Sequence, residues 1–213
     1  FRAEPSPAEV EEEKRRFIQK LGFRILREVN EVAIVGATSL SATVLLSAPG
    51  GICRFHDYTT SARSLAELLR WRGVELSPSL ERNLGRANFA EITAFLVGSK
   101  LLEVEENGEG RRLRVPESRR KVLDFYKNNS IHFFLLPSLL AHACLRGVPR
   151  ADLKEELWWW LSLLRWEFPL PEREEMAEEA GKLLEYFRAH GAGFDGEGGG
   201  SVPLVQCLSP ILE

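Results

Sequence analysis

Residues 101–115, LLEVEENGEGRRLRV, hold the clearest change of hydrophobic period in the chain. Apolar and charged residues alternate through Leu102, Glu103, Val104 and Glu105. A turn signal falls at Asn107-Gly108, and alternation resumes through Leu113 and Val115. Period-two alternation around an Asn-Gly step is the signature of a β-hairpin. The segments on either side repeat at helical spacing instead. The fold class predicted is therefore mainly α, a multi-helix domain with one β-hairpin at about residues 101–115.

Working outward from the hairpin, the helices have recognisable ends. Ser6-Pro7-Ala8-Glu9 is a capping box with proline at the first helical position. Glu9 and Glu11 to Glu13 give an acidic first turn, which suits the helix dipole. Phe17, Ile18, Leu21, Ile25 and Leu26 then form an apolar stripe, and the helix is expected to end near Asn30. Residues 38–48 are small and apolar on nearly every side, as a buried helix would be, and Pro49-Gly50-Gly51 stops them. A third helix is expected from about Ser61 to Arg72, with Gly73 as its cap, and a fourth over residues 88–99. After the hairpin, single helices are expected over 117–146, 150–166 and 171–190. Residues 191–201 are glycine-rich and read as flexible, and 202–213 as the start of a terminal helix that is cut short.

The totals exclude several classes. The chain has 213 residues, 44% hydrophobic and 28% charged, enough for a proper core. A net charge of −3 argues against a general nucleic-acid binder. Cys53, Cys144 and Cys207 are widely spaced, with no pair at metal-binding distance. They read as reduced core thiols of an intracellular protein, so neither a metal nor a cofactor is expected. No signal peptide is visible and no apolar run is long enough to cross a bilayer. The start at Phe1, without Met, suggests a portion of something longer.

Several constellations carry candidate chemistry. Arg111, Arg112, Arg114, Arg119, Arg120 and Lys121 follow the hairpin turn, as in the wing of a winged-helix DNA binder. Cross-strand pairing with Glu103, Glu105 and Glu106 is the simpler reading, given the acidic total. His56-Asp57 and the His190/Asp195 pair could serve acid–base work, but neither has a nucleophile or a phosphate-binding motif beside it. Trp158, Trp159, Trp160 and Trp166 crowd one segment; three consecutive Trp spread round a helix, so at least one faces outward. They suit either an interface, with a partner or a membrane, or a large packed core.

The remaining cluster is Tyr126, Asn128, Asn129 and His132, at the mouth of the apolar run Phe133–Leu145. On a continuous helix these would form a compact patch within two turns. No nucleophile is adjacent, so the residues read as a buried hydrogen-bonded network rather than a catalytic centre. Pro137, just beyond, is expected to kink the helix.

The stretch FYKNNSIHFFLLPSLLA, residues 125–141, resembles a motif in the C-terminal region of membrane-associated glycerol-3-phosphate 1-O-acyltransferases. Residues 28–48, 163–193 and 208–213 are similar to other segments of that region, in the same order. The resemblance implies that residues 1–190 are a helical accessory domain whose partner is the parent's own upstream acyltransferase domain. It implies a parent that moves an acyl group from acyl-CoA or acyl-carrier protein to glycerol 3-phosphate, at the cytoplasmic face of a membrane. The family's catalytic His/Asp and phosphate-binding motifs have no recognisable counterpart here, so no catalytic residue is assigned. Tyr126, Asn128, Asn129 and His132 would be structural, and Trp158, Trp159 and Trp160 an interface with the catalytic domain or the membrane surface. The competing expectation is a winged-helix nucleic-acid binder or a plain helical interaction module.

Overall fold

A computed structural model describes residues 6–85, 89–108, 110–164, 167–168, 172–190 and 208. The elements run α1 (Pro7–Glu31), α2 (Ala37–Ser47), β1 (Ile52–Arg54), α3 (Phe55–Trp71), α4 (Pro78–Gly85) and α5 (Ala90–Gly98). They continue with β2 (Glu103–Asn107), β3 (Gly110–Arg114), α6 (Arg120–Asn128), α7 (Ile131–Leu145), α8 (Leu153–Leu164) and α9 (Arg173–Ala189). The class is mainly α, as expected. The glycine-rich segment, most of the expected terminal helix, Cys207, Asp195 and Trp166 lie outside the described residues.

The capping box closes as the sequence implies. The Ser6 amide donates to Glu9 Oε2 at 2.7 Å and the Glu9 amide to Ser6 Oγ at 3.3 Å. Beyond the cap, the apolar stripe of α1 is not buried. The centre of the core is α2, with Leu40, Ala42 and Leu45 fully buried, packed against α3 and α6. An all-round apolar helix has no solvent face to lose by such burial. Two of its hydroxyls are satisfied locally: Thr43 Oγ1 donates to the Ser39 carbonyl at 2.9 Å and Ser47 Oγ to the Thr43 carbonyl at 2.7 Å.

The hairpin is part of a three-stranded antiparallel sheet in the order β1-β3-β2. Val104 pairs with Leu113 and Leu113 with Cys53, placing one inward row against the helices. Three residues are too few for a period to be read, so β1 was invisible in the sequence. Gly51 makes the junction possible. Its φ is +69°, its carbonyl accepts the Val115 amide at 2.9 Å, and a Cβ there would lie 3.3 Å from Val115 Cβ. Because β1 leads directly into α3, that helix starts at Phe55 rather than Ser61. Gly73, at φ +76°, ends it as expected.

The single helix expected over 117–146 is two helices. α6 stops at Asn128, and the chain turns through Asn129 and Ser130 before α7 begins. The turn uses tighter bonds, Asn129 N–H to the Tyr126 carbonyl at 3.3 Å and Ser130 N–H to the Lys127 carbonyl at 3.0 Å. Asn-Asn-Ser is a run of residues whose side chains compete with the helical backbone, which explains why the break falls there. Pro137 lies inside α7, among residues that are almost all buried.

Candidate functional site: the α6–α7 corner and its neighbours

The break at Asn129-Ser130 disperses the expected polar network. Asn128 and Asn129 are exposed and Tyr126 is half-buried. No side-chain hydrogen bond joins Tyr126, Asn128, Asn129 and His132 to one another among the described residues. The buried-network expectation is corrected accordingly. Their spacing makes a compact patch only on one continuous helix, and the chain turns between the third residue and the fourth. The exposed end of α6 instead carries the two amides beside Phe125, which is 66% exposed, with Val122 also exposed.

His132 faces inward. Its ring lies against Phe133 with centroids 4.0 Å apart and the planes tilted by 41°, and it shares a hydrogen bond with the backbone of Asn30, tying the start of α7 to the end of α1. Its Nε2 is buried without a partner among the described residues. Burial, with the Arg72 charge assisting, holds the imidazole pKa below its ordinary value of 6.5, against the opposing pull of the Asn30 bond. The unfolded chain therefore takes up a proton that the folded chain refuses. Stability from this source is present above about pH 6.5 and is lost as pH falls through the window beneath it. Denaturant titrations at about pH 7 and about pH 5 should show a drop in unfolding free energy that His132→Gln reduces.

Arg72, which the sequence did not single out, joins three elements here. Pro137 has no N–H, so the Phe133 carbonyl one turn earlier has no helical partner. The Arg72 guanidinium donates to that carbonyl and also to Glu179 of α9. A proline inside an apolar helix is the signal that a donor must come from elsewhere.

The Trp segment divides. Trp158 lies half-buried beneath the Arg173 guanidinium, 5.5 Å from the ring centroid. Trp160 is half-buried and donates its indole N–H to Glu156 at 3.0 Å. Trp159 is 55% exposed, as is Leu163 one turn on. At least one outward Trp was expected, and Trp159 fills that place. Asp152, Glu155 and Glu156 line the cleft beside it, with Glu155 paired to Arg173 and Glu156 to Arg146.

The hairpin's cations are engaged. Arg114 pairs with Glu103 and with Glu105, the latter at 3.1 Å, and Arg111 covers Phe55 at 4.6 Å. Helix, strand, helices and hairpin do follow the order of a winged helix, with β1 on β3. Yet α5, the helix before the hairpin, exposes Glu91, Ala94, Phe95 and Val97 and no cation. A phosphate backbone needs positive charge on that face.

The described acid–base candidates lie at helix ends. His56 and Asp57 are exposed in the first turn of α3. His190 caps α9, its ring 4.0 Å from that of Tyr186 and its Nδ1 2.8 Å from the Tyr186 carbonyl. Cys53 and Cys144 have thiol pKa values pushed up to about 12 by burial, which keeps them unreactive. Among the described residues no group of three or more His, Cys, Asp or Glu is placed to hold a metal, and no helix is long and apolar enough to cross a membrane.

Comparison with known proteins gives a consistent result. The family described as glycerol-3-phosphate acyltransferase C-terminal region matches residues 1–198. The glycerol-3-phosphate acyltransferase of Ectopseudomonas mendocina (strain ymp) is 30% identical over 127 residues, which is 57% of this chain and 14% of that protein. That of Pseudomonas syringae pv. tomato is 30% identical over 122 residues, again 57% and 14%. That of Shewanella pealeana is 22% identical over 182 residues, 82% of this chain and 21% of that protein. The match thus spans between about a seventh and a fifth of these relatives. No solved structure matches the chain.

Proposed function

The chain belongs to the glycerol-3-phosphate acyltransferase C-terminal region family, and on that footing we propose that it is the non-catalytic accessory part of a glycerol-3-phosphate 1-O-acyltransferase. The parent moves an acyl group from acyl-CoA or acyl-carrier protein to the first hydroxyl of glycerol 3-phosphate, at the cytoplasmic face of a membrane. This region packs on the upstream acyltransferase domain and touches none of the reacting atoms. The observation that carries the reading is the end of α6. There Asn128, Asn129 and Phe125 are exposed around a helix end, and no side-chain hydrogen bond joins them to one another or to His132 among the described residues. Two amides flanking an exposed aromatic ring make a docking surface, with the ring as anchor and the amides fixing its orientation.

The test separates docking from folding. Phe125→Asp and Asn129→Leu are exposed changes, so each should leave the melting temperature of the 213-residue chain unchanged within about a degree or two. In the full-length enzyme each should lower acyl transfer to glycerol 3-phosphate, Phe125→Asp by about ten-fold or more, as truncating an interface anchor does. The chain by itself should transfer no labelled acyl group. Unchanged activity of both full-length variants, or turnover by the chain alone, would overturn the proposal.

A further inference from the structure

We propose that α1 is a membrane-surface helix that lies in the plane of an anionic bilayer, with its apolar stripe among the lipids. The inference deepens the reading of the parent as a membrane-surface enzyme and rests on that reading for its setting. The observation behind it is separate from the α6 corner. α1 has 25 residues and a clear apolar stripe, yet none of its described residues is buried. Phe17, Leu21, Ile25 and Val29 repeat every four residues, with Ile18 beside them, and their exposures run from 45% at Leu21 to 64% at Phe17. No other helix in the described residues leaves its apolar face open along its length. An amphipathic helix normally owes its stability to whatever covers that face.

The charge pattern selects the occupant. From Lys14 to Arg27 there are six Lys or Arg and no Asp or Glu. Arg16, Lys20 and Arg24 recur every four residues, displaced by roughly 100° round the helix from the apolar row, since each precedes one of its members. Arg16 pairs with Glu12 and Arg24 with Glu28, each at 3.0 Å and well exposed, so these pairs are weak and exchangeable. A protein groove that accepts the apolar row has no need of a row of cations flanking it. An anionic lipid surface does, because the headgroups reward each cation while long basic side chains reach up to them from a submerged helix. The exposed Trp159, by contrast, belongs to α8, whose one cation is Lys154.

Flotation of the 213-residue chain with vesicles decides the matter. Mixed phosphatidylcholine–phosphatidylglycerol vesicles should bind it about ten-fold more than pure phosphatidylcholine, with the difference shrinking at high salt. The triple variant Phe17→Ser, Leu21→Ser, Ile25→Ser should lose that binding, its helical circular dichroism confirming the fold. Arg15→Glu with Lys20→Glu, which keeps the stripe whole, should weaken it several-fold. Trp159→Ser should leave it unchanged. Equal binding to neutral vesicles, or none to either, overturns the proposal. So does a dimer in sedimentation that the triple variant dissociates, which would make a second copy the occupant. If vesicles fail and the triple variant destabilises only the full-length enzyme, the upstream domain covers α1. The Phe125 and Asn129 measurements do not read α1, so either proposal can fail while the other stands.

Discussion

Tyr58→Ala is expected to lower the unfolding free energy of the chain by about 4 kcal/mol, the usual range for deleting a large buried aromatic ring. Tyr58 is fully buried in α3, with its ring 5.8 Å from Phe89 and 6.1 Å from Phe55. Its hydroxyl lies 2.7 Å from Ser41 Oγ of α2 and bonds to the side chain of Thr93 of α5. The ring thus supplies volume at the meeting point of three helices, and the hydroxyl supplies their register. The two contributions can be separated. Tyr58→Phe keeps the ring and strands a buried serine hydroxyl, at a cost of about 1 kcal/mol. Burial pushes the phenol pKa up to about 12, above its ordinary 10. The folded chain therefore holds this proton more tightly than the unfolded one. The associated stability is present below pH 10 and is lost as pH rises towards about 12. Thermal melts should show a drop of roughly 10 °C for the alanine variant and a few degrees for phenylalanine. A drop of similar size for both would mean that the hydroxyl bonds, not the ring's volume, hold this junction.

The sequence exposed the parts of the fold whose cause is local. The Ser6–Glu9 box, the apolar helix at Ala37–Ser47, the Gly73 cap and the β2–β3 hairpin each depend on residues a few places apart, and each is where pattern placed it. What it hid depends on distant partners. β1 exists because Arg112, Leu113 and Arg114 return to it from far along the chain, and no three-residue stretch advertises that. The break at Asn129-Ser130 is local, but the strong apolar run beginning at Ile131 masked it, and with it went the expected polar network. The face of α1 was legible as a stripe, but periodicity shows only that a face is apolar. It does not say whether the cover lies within the same chain. The cluster was legible as a motif, but residue types mark only the end of α6, and burial decides whether its side chains can form a network.

Arg72→Met is expected to cost about 2 kcal/mol, moderated by the partial exposure of its ion pair with Glu179. It leaves the Phe133 carbonyl, orphaned by Pro137, without a donor. It also frees Glu179 from the tie that holds α9 to this corner. Arg72→Lys should recover less than half, because one ammonium cannot reproduce a planar fork that reaches two acceptors in different directions. The causal chain can be tested directly by a second change. Pro137→Ala restores an N–H one turn beyond Phe133, so the carbonyl regains a helical partner without Arg72. In the Arg72→Met background, Pro137→Ala should therefore recover about 1 kcal/mol that it does not contribute in the wild-type chain, a non-additivity measurable by a double-mutant cycle in urea. Strict additivity would show that Arg72 acts only through Glu179, and that the proline's missing hydrogen bond is tolerated without help.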